Sequence, residues 1–236
     1  MNHTRVIHAI VFAMLVTMTS IWTATAPAGA DDHLVPDVPF LLDIDNYTLA
    51  VRKLFSSGFS EDVVLRAFVV PSFEPEYMVG IRKIGTDYFA FLLAADVNVT
   101  RLTSSEGALG DDQDGDSSRL PDVICPELDG VIVNTQQRRI SAQTAERTGS
   151  IWSMELLKIK HPHSPPLVID GTTYRFSMFI ERYGHAGGRI DNFDSGSNME
   201  SMVQLVKALA GFSRGEVDEP AIEQRLIDIE DRAPRR

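Results

Sequence analysis

Cys125 is the only cysteine in 236 residues. No disulfide can cross-link such a chain internally, so its fold has to rest on a buried apolar core. The composition allows one, because 44% of the residues are hydrophobic and a chain of this length buries most of its unfolded surface without covalent staples. Disordered, collagen-like and disulfide-framework chains are excluded on the same grounds. Cys125 itself closes the apolar run Asp122-Val123-Ile124-Cys125 before Pro126, with no basic neighbour to activate its thiol. It reads as a small buried hydrophobe.

Charge removes a second class. Twenty-two Lys and Arg stand against 33 Asp and Glu, a net charge of -11. A phosphate-backbone binder carries a basic face, so no nucleic-acid partner is expected.

The first 30 residues contain one charged side chain, Arg5, followed by an apolar run from Val6 to Val16 and the small-residue triplet Ala28-Gly29-Ala30. These are the parts of a secretory signal peptide, with cleavage expected after Ala30. A membrane span would need about 20 predominantly apolar residues. His8, Thr17, Thr19 and Ser20 interrupt this run, so no stable membrane insertion is expected after cleavage. The expected location is secreted or periplasmic.

The sequence predicts an extended lead-in at 31–44, a single α+β domain at 45–231 and a short tail at 232–236. The domain is expected to be an antiparallel sheet of about five to seven strands with helices packed mainly on one face. Asp45 can cap a helix carrying Tyr47, Ala50, Val51, Leu54 and Phe55 on one stripe, stopped by Ser56-Ser57-Gly58. Val63–Val70 reads as a β-branched strand closed by Pro71. Tyr77–Ile84 and Tyr88–Ala94 flank a Gly-containing turn, with Tyr77, Val79 and Ile81 alternating against Met78, Gly80 and Arg82 so that one face is core. Val131-Ile132-Val133 suggests a further strand. Leu167–Phe176 looks like a hairpin about Asp170-Gly171.

Helices are expected at 142–159, interrupted by Gly149, behind a capping box at Ser197 and Glu200, and from about Asp218 with Pro220 in the first turn. Between Ser104 and Ser118 apolar residues nearly vanish, and an acidic disordered loop is expected.

The conspicuous residues resist a catalytic reading. Neither alignment of the 104–118 acids with an EF-hand places ligands at all the required positions, which leaves only weak calcium binding by another geometry. His161 and His163 flank Pro162, but no HExxH or CxxC supplies the further ligands a zinc site needs. Tyr183–Gly188 is glycine-rich without the order of a phosphate-binding loop. Gly-x-Ser-x-Gly and Ser-x-x-Lys are both missing, although a triad can be assembled from distant residues.

No cofactor or metal is implied. Two functions remain: an exported non-catalytic accessory or binding protein of the cell envelope, acting on an envelope protein or a small ligand, and an exported hydrolase with a dispersed His/carboxylate site. Strand ends beside flexible glycines are favourable places for recognition. Asp170, Tyr174 and His185 form the candidate recognition cluster on that ground.

Overall fold

The computed structural model describes residues 32–37, 45–106, 128, 130–161, 171–191 and 193–232. The leader at 1–30, the acidic segment from 107 to 118, Cys125, His163, the run at 167–169 and Asp170 lie outside the described residues. Among the described residues, no helix is long and apolar enough to cross a membrane.

Among the described residues, seven strands form one antiparallel sheet: β1 (Val35–Pro36), β2 (Val63–Pro71), β3 (Tyr77–Ile84), β4 (Asp87–Ala95), β5 (Val133–Ile140), β6 (Thr172–Ile180) and β7 (Gly184–Ile190). Their spatial order is β1-β7-β6-β2-β3-β4-β5. β2 to β5 run as a meander, and the β6–β7 hairpin adds to the free edge of β2. Gly85, at a φ of 60°, makes the two-residue turn that sets Ile84 opposite Asp87.

The first arm and Asp170 of the hairpin expected at Leu167–Phe176 lie outside the described residues, and its second arm opens β6. Between Tyr174 and Met178, both edges of β6 are occupied, one by β2 and the other by β7. The turn that β6 does make is Glu181–Tyr183, leading into β7.

Helices cover both faces, which corrects the expectation that they lie mainly on one. The three longest, α3 (Ala142–Leu157), α4 (Asn198–Arg214) and α5 (Glu219–Arg232), pack on one face. There Trp152, Met202, Val206 and Leu226 meet Val79, Leu92 and Phe176 of the strands. On the other face α1 (Asn46–Leu54), a 3₁₀ turn at Ser56–Phe59 and α2 (Val99–Glu106) build a second, smaller core. It gathers Val51, Phe55 and Val99 over Phe68, Met78, Phe91 and Leu93. Both sets of alternate residues in β3 are therefore core: Val79 and Ile81 serve one layer, Met78 the other. A strand buried on both faces loses the simple apolar-polar alternation.

The helix ends follow their caps. The Asp45 carboxylate accepts from Thr48 N–H at 2.6 Å and Arg52 and Lys53 sit in the last turn of α1. Ser141 starts α3 by accepting from Thr144 N–H at 3.1 Å. Ser197 starts α4 by accepting from Glu200 N–H at 3.0 Å, but the Glu200 carboxylate accepts from Gly196 N–H rather than from Ser197 as a regular capping box requires. α2 is capped from a distance. The Glu76 carboxylate, fully buried at the start of β3, accepts from Val99 N–H at 2.7 Å and Thr100 N–H at 2.8 Å. This helix continues to Glu106, so the acidic segment starts later than the composition suggests.

β5 also departs from expectation. The strand is Val133–Ile140, not Val131–Val133, and Ile132 is 59% exposed. Eight residues pair with β4, yet most are polar because β5 is an edge strand with solvent on much of its surface.

Gly149 sits inside α3 with space around it, since a Cβ there would meet only Leu65 Cδ2 at 4.0 Å. Gly149→Ala is expected to stabilise the fold by about 1 kcal/mol, the helix-propensity difference. A higher midpoint in urea, followed by circular dichroism, is the measurement that checks it.

Candidate functional site

Strand alternation decides what happens to the sequence-predicted cluster. Tyr174 pairs with Ile190 and faces the long helices, 5% exposed, where burial raises its hydroxyl above the ordinary tyrosine range. His185 pairs with Phe179, an odd number of residues along β6, and so points to the opposite face. The two are not brought together. Asp170 lies outside the described residues. Of the two loop histidines, His161 is exposed just beyond α3.

The face to which His185 points is the informative one. α1, the 3₁₀ turn and α2 cover it over β2, β3 and β4. Among the described residues no helix covers β6 and β7 there. A groove of about 410 Å³ results, with Phe59 of the 3₁₀ turn, Arg66 of β2, Ser177 and Phe179 of β6 and His185 of β7 along it. It adjoins a pit of about 20 Å³ that shares Phe59, Arg66, Ser177 and His185 and adds Asp37 and Arg175. The groove is in the size range of small-molecule sites, whereas the pit has room for about one water.

Two arginines on this face differ in their company. Arg175 Nε donates to Asp37 Oδ2 at 2.6 Å and its Nη2 to Asp37 Oδ1 at 2.9 Å, a two-pronged pair with both side chains mostly buried. Arg66 stands directly across from Ser177 in the β2–β6 register. Its Nη1 donates to the Gly58 carbonyl at 3.3 Å and its guanidinium lies 4.6 Å from the Phe59 ring centre. Among the described residues no carboxylate pairs with it. Burial alone pushes its pKa down, with no opposing carboxylate to restore it. The group remains charged near neutrality, since guanidinium does not deprotonate in proteins.

The local sequence explains how Arg66 is held. A Cβ on Gly58 would lie 2.2 Å from Met78 Sδ and 3.0 Å from Leu93 Cδ1, so glycine allows the 3₁₀ turn to sit hard against β3 and β4. That placement sets the Gly58 carbonyl and the Phe59 ring beside the guanidinium.

Chemically, this arrangement suits holding more than cleaving. The His185 ring meets Phe179 edge-on at 5.3 Å, and the Asp37 carboxylate is engaged by Arg175. Among the described residues, no group of three or more His, Cys, Asp or Glu side chains could hold a metal ion. Sequence reasoning passed over Arg66 and Arg175, although a signal was present. Each is a single charge inside a strand otherwise rich in Val, Phe and Tyr, and a cation in such a run asks for a partner or a ligand. No family model, no curated protein and no solved structure matches the chain.

Proposed function

We propose that the protein is an exported, non-catalytic binding protein of the cell envelope that holds a small ligand in the groove across β2, β6 and β7. The observation that carries this reading is Arg66: a partly buried cation, held by a carbonyl and an aromatic ring, that lines an open groove without a carboxylate partner among the described residues. Burying a charge without an anion is costly, and a ligand that supplies the anion recovers part of that cost. The second reading, an exported hydrolase, has Ser177 and His185 on the same groove in its favour. Among the described residues it lacks a carboxylate oriented on the imidazole.

Protein purified from the envelope fraction of cells that export it, examined by native mass spectrometry, separates the two. The expected spectrum shows a chain starting at Asp31 with a small molecule bound one to one, and Arg66→Gln removes that adduct. A chain retaining Met1 in the membrane fraction would contradict export. Turnover of simple esters that is lost in both Ser177→Ala and His185→Ala would replace binding with hydrolysis.

A further inference from the structure

We infer that the groove takes a small monocarboxylate with an apolar, ring-bearing body, its carboxylate on Arg66 and its body against Phe59 and Phe179. This ligand class rests on the binding reading above and adds to it.

Charge selects the head group. Arg175 and Asp37 neutralise each other, whereas among the described residues no carboxylate pairs with Arg66. Glu61 also lines the groove, and the whole chain carries -11. A doubly charged phosphate would bring two negative charges to one cation in an acidic surround, whereas a carboxylate brings one. The planar guanidinium has five donors in a fork that matches a carboxylate, and one Nη1 contact at 3.3 Å leaves most of them for a ligand. Ser177, across the strand pair from Arg66, offers a hydroxyl to the same head group.

The body follows from the rings. Phe179 is 58% exposed on its strand and lines the groove, so a ligand in the groove can cover it. His185 meets it edge-on, and Phe59, which also lines the groove, lies against the guanidinium. A flat apolar body in the groove can contact both rings that line it, while its carboxylate reaches Arg66.

The test titrates the full chain with 3-phenylpropionate and with its uncharged counterpart 3-phenylpropanol, by calorimetry at low-millimolar concentrations. The carboxylate is expected to bind about tenfold or more tightly than the alcohol, the scale of a charge-assisted hydrogen-bond pair. Arg66→Gln is expected to erase that preference, while Arg225→Gln, on the α4–α5 surface, leaves it intact. Phe179→Ala is expected to weaken both probes severalfold, and it stays informative if Arg66→Gln does not fold, because its exposed ring adds little to stability. Equal binding of the two probes would overturn the carboxylate class and leave the groove reading standing. Inorganic phosphate binding as tightly as 3-phenylpropionate would overturn it in favour of a phosphate head group. A preference that survives in folded Arg66→Gln, or affinities unchanged in Phe179→Ala, would overturn the assignment of residues. No binding of either probe would overturn both the class and the groove.

Discussion

Gly80→Ala is expected to destabilise the protein by about 3 kcal/mol or more, at the upper end of overpacking effects. A Cβ at Gly80 would stand 2.2 Å from the Leu65 carbonyl oxygen and 2.9 Å from two atoms of the Phe91 ring. The carbonyl belongs to backbone and cannot swing away as the end of a long side chain can. The crowding has a visible origin. β2 carries a bulge between Val63 and Leu65, two residues against one step of β3, and a bulged strand bends and twists more strongly there. Phe91, fully buried, lies across from Gly80, with the Arg82 guanidinium 4.5 Å from its ring centre. Glycine in this strand is thus a packing requirement. Gly80 is also the β3 partner of Arg66, so the substitution strains the strand that carries the groove's cation. Urea denaturation followed by circular dichroism checks the magnitude, and a change below about 1 kcal/mol would mean that β2 can shift to make room.

Trp152→Ala is expected to cost about 3–5 kcal/mol, the range for deleting a large buried aromatic. Trp152 is fully buried in α3 and meets Phe176 of β6 edge-on at 5.0 Å, so it ties the long-helix layer to the centre of the sheet. Its indole N–H is buried and has no hydrogen-bond partner among the described residues. Trp152→Phe removes that unsatisfied donor together with part of the ring, and the two effects oppose each other. The expected cost of Trp152→Phe is therefore about 1 kcal/mol or less. Thermal unfolding of both variants by circular dichroism measures the contrast, and equal losses would contradict it, because a phenyl ring would then recover none of the packing.

What was legible in the sequence was local. Asp45, Ser197 and Pro220 mark helix starts, and Gly85 marks a hairpin, because each acts on its immediate neighbours through caps and turns. The amphipathic stripes of α4 and α5 were readable for the same reason. Non-local effects were hidden. Glu76 caps α2 from 23 residues away, and nothing around Val99 announces it. β5 reads as polar because its pairing edge is satisfied by β4, not by its own side chains. The second core is hidden because the alternation in β3 announces one core face only, whereas α1 and α2 bury Met78 on the other. The candidate site failed on parity. Tyr174 and His185 are near one another along the hairpin but project to opposite sides, and only the register of β6 on β7 reveals this. Arg66 and Ser177 are 111 positions apart in the chain and come together through a crossover that no local pattern encodes.

Backbone amide mapping by ¹⁵N NMR, during titration of the exported chain with 3-phenylpropionate, bears most directly on the role of the β2–β6–β7 groove. The amides of Phe59, Arg66, Ser177, Phe179 and His185 should shift together and saturate with one dissociation constant. Shifts gathered instead on the polar surface between α4 and α5, at Gln204, Arg225 and Arg232, would place the ligand elsewhere and contradict the groove as the functional site.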